Sequence, residues 1–185
     1  MLRELIRETA QVRSETRATA SFDVIVQEYE APIGRYLYSM VGDYEVSQDL
    51  SQDTFISAYK AYDPEKIHNL SAWLYRIATN KAMSYFRRKK VLSWVQLDKL
   101  TDAGRDPSVE SHGEWVATSH SVQQALDQLE PDQRACLLLK AAGFSHEEIA
   151  DQLGCSPGAA RTRLSRARDA FRAHYGGGRE MEGNS

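Results

Sequence analysis

Cysteine is scarce in this 185-residue sequence, which contains only Cys136 and Cys155 and therefore too few for a disulfide framework. No apolar run is long enough to span a membrane, and the first 20 residues lack the continuous apolar stretch of a signal peptide. Runs of β-branched residues are also rare, whereas Leu, Ala, Arg, Glu and Gln dominate the periodic segments. These absences favour an all-α cytoplasmic protein, without membrane insertion and with both thiols reduced.

Clusters of side chains that could carry chemistry are also missing. Neither cysteine has a Cys or His neighbour at metal-ligand spacing, so we expect no metal site and no cofactor. No pair of carboxylates and no nucleophile–base arrangement stands out. The sequence therefore predicts a protein that is not an enzyme.

What the sequence does contain is a segregation of charge that the net value of −3 conceals. Residues 21–65 carry nine acidic residues, with Arg35 and Lys60 as the bases. Residues 71–90 carry six bases and no acid, and residues 156–175 carry five arginines against Asp169 alone. Separate acidic and basic surfaces predict two kinds of partner.

Apolar periodicity divides the chain into two helical blocks. The first follows an N-terminal extension at 1–20, which we expect to be mobile or weakly helical, and forms a domain at 21–90. This domain begins with one or two helices, the second opened by Pro32, and a further helix ends at Pro64. The apolar side of that further helix comprises Val46, Leu50, Phe55, Ile56 and Tyr59.

The helical period is lost between the two blocks. Residues 91–119 contain Gly and Pro and are too long for an ordinary connection within one domain, so we predict a flexible linker. The second block, at 120–176, has the pattern of four helices. We expect the glycine-rich end, 177–185, to be a disordered tail.

The segment HEEIADQLGCSPGAARTRLSRAR predicts a helix-turn-helix within the second block. Ser145 and Glu148 form a capping box before the first helix of this motif, and Gly154 supplies the turn. The outward side of the next helix is suited to base edges and phosphates in a major groove, although a solvated arginine-rich surface is the plainer alternative. The outward residues are Arg161, Thr162, Ser165, Arg166 and Arg168.

The segment NLSAWLYRIATNKAMSYFRRKK has two stripes at helical spacing. Trp73, Arg76, Asn80 and Arg87 lie away from the apolar side that contains Leu74. Aromatic rings and cations together bind single-stranded DNA, and an amide can read the edge of an extruded base. Alternatively, the Trp belongs to the core and the cations form a solvated helix end, which suits the helix dipole. Spacing alone leaves both interpretations open.

Three blocks in this order resemble a bacterial RNA polymerase sigma factor of the extracytoplasmic-function (ECF) group. They are VSQDLSQDTFISAYKAYD, AWLYRIATNKAMSYFRRKK and LDQLEPDQRACLLLKAAGFSHEEIADQLGCSPGAARTRLSRAR, and the resemblance covers roughly residues 22–175. It implies two small helical domains joined by a flexible linker. The 21–90 domain then corresponds to sigma region 2, which melts the minus-ten promoter element. The 120–176 domain corresponds to region 4, which reads the minus-thirty-five element.

The resemblance also implies roles for individual residues. For docking on the β′ clamp helices of core RNA polymerase they are Asp49, Leu50, Gln52, Asp53 and Phe55. For the minus-ten element they are Asn69, Ser71, Trp73, Arg76, Asn80, Arg87, Arg88 and Lys89. For the minus-thirty-five element they are Arg161, Thr162, Arg163, Ser165 and Arg166.

The function implied is that of an alternative sigma factor, which directs promoter recognition, DNA melting and transcription initiation. Its partners are then core polymerase, contacted at the β′ clamp helices and the β flap, promoter DNA, and an anti-sigma factor that covers both domains. One alternative is a stand-alone helix-turn-helix regulator that binds duplex operators as a dimer. Another is a helical adaptor that binds only proteins.

Overall fold

The computed structural model describes the backbone of residues 2–95 and 120–182 and the side chains of residues 22–92 and 121–175. All regular structure within these ranges is helical, which confirms the all-α prediction. The helices are α1 (Leu2–Val41), α2 (Tyr44–Ala61), α3 (Leu70–Val95), α4 (His120–Asp127), α5 (Pro131–Ala141), α6 (His146–Leu153) and α7 (Pro157–Glu182).

Helix α1 continues through Pro32, so the prediction that this residue opens a second helix is wrong. Proline in a helix interior loses a hydrogen bond and costs about 3 kcal/mol. The side chains that follow it, Ile33, Leu37 and Met40, are all 0% exposed. Burial of each such side chain contributes roughly 1.5–3 kcal/mol, which offsets the cost of the proline.

Helix α2 packs on α1 and α3 through a face of small and hydroxyl side chains rather than large apolar ones. Its buried residues are Ser47, Leu50, Ser51, Thr54 and Ala58. The Thr54 hydroxyl donates to the Leu50 carbonyl at 2.7 Å, so a polar group can be buried there without an unpaired hydrogen. Ile56 and Tyr59, assigned to the apolar side from sequence, are instead 45% and 52% exposed.

The C-terminal helices follow the predicted capping signals closely. Ser145 caps α6 in a complete capping box with Glu148. Gly154 ends α6 at φ 62°, a left-handed conformation that glycine adopts without a Cβ penalty. The Ser156 hydroxyl then accepts from the Ala159 N–H at 3.2 Å at the start of α7. The four helices and the helix-turn-helix expected from sequence are confirmed.

Three segments are helical beyond the limits that the sequence pattern indicated. The backbone is helical from Leu2, within the segment expected to be mobile or weakly helical. Helix α3 extends to Val95 and α7 to Glu182, beyond the ends expected at residues 90 and 176. Extending an existing helix adds one hydrogen bond per residue and needs no new nucleus. Such an extension leaves no capping signal in the sequence, so the sequence pattern did not predict it. The rest of the predicted linker, 96–119, lies outside the described residues.

The helices α1–α3 and α4–α7 contact each other, and we call this contact the junction. Arg134 of α5 donates to the Met40 carbonyl, one of the last carbonyls of α1, which lack partners within their own helix. Arg134 also forms a buried ion pair with Asp127 at 3.2 Å. The Tyr75 and Phe144 rings meet edge to face, 5.1 Å apart. The junction positions α3 against α6.

Candidate nucleic-acid interface

The start of α3 forms one wall of a cavity. The Asn69 side chain caps the helix by accepting from the Ala72 N–H at 3.0 Å. Trp73, half-buried, lies beside Tyr62 with their ring centroids 6.3 Å apart. A cavity of about 480 Å³ opens here and is also lined by Lys66 and His68. Aromatic faces, an amide and the Asp63–Lys66 pair therefore line one open space of a size that admits a planar base.

The loop between α2 and α3 contains an ion pair of its own, exposed to solvent. Asp63 and Lys66 lie 2.7 Å apart, and Asp63 also accepts from the Glu65 N–H at 3.1 Å. The hydrogen bond from Lys66 lowers the pKa of Asp63, and the same pair raises the pKa of Lys66. Both side chains are exposed, so this pair contributes little to the stability of the loop.

Helix α3 has the two sides that the sequence indicated. Leu74, Ala78 and Ala82 are 0% exposed and fill the core. On the other side Arg76 and Asn80 are exposed, whereas Ser71 is half-buried on the side of Leu74 and Ala78. The exposed cations of the helix end follow: Arg87, Arg88, Lys89 and Lys90. Among the predicted minus-ten residues, Arg76, Asn80 and Arg87 therefore border one cleft, whereas Asn69 and Trp73 line a separate cavity at the start of the helix.

Two of these side chains are already engaged by α6. Arg76 Nη1 lies 3.1 Å from Asp151 Oδ2. Asn69 Nδ2 donates to Glu148 Oε1 at 3.3 Å. A cleft of about 1050 Å³ lies beside Arg76, between α3 and α5–α7. Its lining residues include Asn80, Arg87 and Arg166.

The second helix of the helix-turn-helix, α7, presents four of the five predicted residues to solvent. Arg161, Thr162, Ser165 and Arg166 are exposed. They lie opposite Ala160, Leu164 and Ala167, which are at most 2% exposed. Arg163 departs from this pattern, because its side chain is half-buried and pairs with Asp132 of α5 at 3.4 Å.

On α2, the predicted polymerase-docking residues separate into surface and core. Asp49, Gln52 and Asp53 are exposed, and Phe55 is half-buried. Leu50 is 5% exposed, so its side chain supports α2 from the core rather than from the surface. Beside the exposed residues runs a groove of about 530 Å³ between α1 and α2, lined in part by Phe22, Val26, Ile56 and Tyr59.

Sequence reasoning missed several of these surface residues. The buried residues of α2, from Ser47 to Ala58, recur at helical spacing, and Ile56 and Tyr59 do not fit that spacing. This mismatch is the signal that could have identified the two residues as exposed. Tyr62, which ends α2, and Lys66 gave no comparable signal, because their position beside Trp73 depends on the path of the loop.

The described residues provide no alternative site for metal chemistry, since no three His, Cys, Asp or Glu side chains among them lie close enough to hold an ion. Burial raises the pKa of the Cys136 thiol to about 11, so this thiol is protonated at neutral pH. Nor does any helix in the described part of the chain combine the length and apolarity that crossing a bilayer demands.

Both helical blocks of the chain match known protein families. Residues 25–91 match the family described as Sigma-70 region 2, and residues 119–171 match Sigma-70, region 4. The RNA polymerase sigma-H factor of Pseudomonas aeruginosa is 32% identical over 173 residues, which cover 86% of each chain. The chain belongs to the RNA polymerase sigma factors.

Two further similarities are to an ECF sigma factor and to a sigma factor solved with an anti-sigma factor. The ECF RNA polymerase sigma factor SigE of Mycolicibacterium smegmatis is 30% identical over 158 residues, which cover 84% of this chain and 62% of SigE. Among solved structures, the sigma factor RpoE of Bartonella quintana in complex with the anti-sigma factor NepR has a TM-score of 0.65 at 25% identity. That alignment covers 83% of this chain and 96% of RpoE.

Proposed function

We propose that this sigma factor docks on core RNA polymerase through α2, holds the unwound minus-ten strand on α3, and reads the minus-thirty-five element with α7. The observation that carries the proposal is the position of Trp73, Arg76 and Asn80. Their helix fills the core with its other side, while these three side chains reach a surface that a strand can contact. A factor with this role acts in the cytoplasm, where polymerase and promoters are.

On α3, binding energy offsets the cost of opening the duplex. Extruding one base costs a few kcal/mol. Stacking of a base on an aromatic ring contributes roughly 1–3 kcal/mol. The cavity beside Trp73 offers Tyr62 as a second ring, and a strand bound there would compete with Glu148 for the Asn69 amide and with Asp63 for Lys66. The exposed cations at 87–90 extend the phosphate path along the helix.

On α7, the exposed arginines suit a closed duplex. Arg161 and Arg166 lie on the outward side of a helix whose inward side holds it to the rest of the C-terminal helices. A bidentate arginine–guanine contact contributes about 1–3 kcal/mol of discrimination against the wrong base. Arg163, paired with Asp132, lies toward α5 and is better placed to hold the recognition helix than to read bases.

On α2, an acidic rim borders an apolar groove. Glu30 and Asp49 supply the acidic rim beside the polar Gln52, and exposed Ile56 and Tyr59 supply apolar contact. This combination suits a partner surface with basic and apolar side chains, and we assign it to the β′ clamp helices. We assign the contact with the β flap to the C-terminal helices.

An anti-sigma factor is also part of the proposal. The RpoE relative was solved in complex with the anti-sigma factor NepR. Since α3 and α7 line the same cleft, a single partner bound there can cover both DNA-binding surfaces. Such a partner would silence promoter opening and promoter reading together.

Run-off transcription with core polymerase tests the division of labour. On duplex promoter DNA, both Arg76→Ala and Arg166→Ala are expected to lower the transcript yield. A template with a mismatched, pre-opened minus-ten region is expected to rescue the α3 variant but not the α7 variant. Rescue of both, or of neither, contradicts the assignment of opening to α3, and the absence of any factor-dependent transcript contradicts the sigma function itself.

A further inference from the structure

Arg163 of the recognition helix is paired with an acid on a neighbouring helix. Its Nη1 atom lies 3.4 Å from Oδ2 of Asp132, in the first turn of α5. The two side chains are 36% and 56% exposed, so the pair is partly open to solvent. Arg161 and Arg166, in contrast, are exposed on the outward side of α7. The recognition helix therefore holds Arg163 against α5 and presents these two arginines to solvent.

Arg163 lies on a flank of α7, between its buried and its outward sides. At 3.6 residues per turn it falls between Ala167, which is 0% exposed, and Arg166, which is exposed. A helix with its side chains is about 10–12 Å across, and the major groove is about 12 Å wide. When the outward side of α7 meets base edges, its flanks lie beside the sugar–phosphate walls of the groove. A cation on this flank is therefore within reach of a phosphate, whatever the base sequence.

Asp132 stays beside this flank because α5 is fixed in place. Ala135, Cys136 and Leu139 are 0% exposed and anchor α5 in the core. The positive end of the helix dipole also favours a carboxylate in the first turn of α5. A carboxylate on an arginine occupies the same donors that a DNA phosphate would use. Asp132 and the DNA backbone therefore compete for one guanidinium group.

This competition affects binding to wrong sequences more than binding to the right one. Phosphate contacts strengthen binding to every duplex, whereas base contacts discriminate between sequences. On the correct element, the base contacts of Arg161 and Arg166 fix the position of α7 in the groove. On another sequence the helix is free to shift until a released Arg163 meets a phosphate. An acid that retains Arg163 therefore weakens binding to wrong sequences most.

We propose that Asp132 is a positioning residue for minus-thirty-five recognition, which holds Arg163 away from the DNA backbone and so raises the discrimination between promoter and other DNA. This inference rests on the assignment of α7 to the minus-thirty-five element. The pair joins two C-terminal helices and does not involve α3, so it acts in the holoenzyme as well as in the free factor.

Equilibrium binding of the holoenzyme to two duplexes tests the competition. One duplex is a promoter that the holoenzyme transcribes, and the other is the same duplex with its minus-thirty-five element scrambled. Asp132→Asn is expected to raise the affinity for the scrambled duplex roughly 2- to 5-fold, as loss of a weak exposed pair would predict, and to raise the promoter affinity less. A plot of the logarithm of the affinity for the scrambled duplex against the logarithm of the salt concentration should become steeper by about 0.9, because one more phosphate is neutralised. A merely structural contact between α5 and α7 would not change this slope.

Three further variants identify the group that is responsible. Asp132→Glu keeps a carboxylate beside Arg163 and should behave like wild type. Glu130→Gln removes one charge from an exposed residue just before α5 that makes no capping hydrogen bond, and it should leave the slope unchanged. The double variant Asp132→Asn, Arg163→Ala should lose the steeper slope, because the released cation is gone.

The proposal is refuted if Asp132→Asn changes neither the slope nor the discrimination between the two duplexes. It is also refuted if the double variant retains the change or if Glu130→Gln reproduces it. If instead Arg166→Ala leaves the discrimination between the two duplexes intact, the assignment of α7 to the minus-thirty-five element is what fails.

Discussion

The turn of the helix-turn-helix depends on one backbone angle. Gly154 has φ 62° and ψ 39°, and a Cβ built on it would meet nothing within 4 Å. Replacing it with alanine therefore adds left-handed backbone strain of about 1–2 kcal/mol without a steric clash. Alanine also lowers the conformational entropy of the unfolded chain, which stabilises the folded state by about 0.4–1 kcal/mol. We expect Gly154→Ala to destabilise the C-terminal helices by about 1 kcal/mol.

Gly34 provides a matched control. It lies inside α1, again with nothing within 4 Å of an added Cβ, but its backbone is helical. Gly34→Ala should therefore stabilise the protein by roughly 0.5–1 kcal/mol. Gly154→Asn should fall between alanine and wild type, since asparagine tolerates the left-handed region.

Urea unfolding followed by circular dichroism measures both changes. With a slope of about 2 kcal/mol per M, a loss of 1 kcal/mol lowers the midpoint by about 0.5 M. Affinity for duplex minus-thirty-five DNA should fall with Gly154→Ala, because the turn sets the angle between α6 and α7. Equal stability of the Gly154→Ala and Gly34→Ala proteins would refute the left-handed turn and the helix-turn-helix geometry built on it.

Three further predictions concern single groups. Ser145→Ala should lower the free energy of unfolding by about 1 kcal/mol because it removes the α6 cap, whereas Ser145→Asp should preserve the cap. Equal thermal midpoints for the two variants would show that the cap contributes nothing to stability. Tyr36→Phe should cost about 0.5–1.5 kcal/mol in denaturant unfolding, because the buried 2.7 Å hydrogen bond to Thr79 is lost; unchanged stability would argue that this bond gives no net stabilisation. Burial raises the pKa of the Cys136 thiol to about 11, so at pH 8 Cys136 should react with maleimide far more slowly than half-exposed Cys155. The reactive thiolate of Cys136 should form only as the pH rises toward 11. Equal labelling of the two cysteines by mass spectrometry would contradict this prediction.

The capping signals could be predicted because they are local. Ser145 with Glu148, Gly154 and Ser156 act through hydrogen bonds to groups at most four residues away. Such bonds depend on the sequence alone, since they form wherever the helix forms. The two-sided pattern of α3 was predictable for a related reason: the helical period of 3.6 residues separates Leu74 from Arg76 whatever surrounds the helix.

The errors concern residues whose environment is set by distant parts of the chain. Pro32 is accommodated because the residues after it pack into a core that α2 and α3 complete. Leu50 belongs to a motif taken as a docking surface, yet it lies on the side of α2 that packs into the core. The junction could not be predicted at all, because Arg134 and Met40 are 94 residues apart in sequence. The predicted domain boundaries stay a prediction, as do the roles of the individual site residues.

Permanganate reactivity of unpaired thymines at the minus-ten element tests the central claim most directly. The measurement compares holoenzymes that contain wild-type factor, Trp73→Ala, Arg76→Ala or Arg166→Ala at concentrations where each occupies the promoter. We predict reactive thymines with wild type and with Arg166→Ala, and a strong loss of reactivity with the two α3 variants while polymerase stays bound. Full reactivity with both α3 variants would contradict the claim that the outward surface of α3 holds the opened strand.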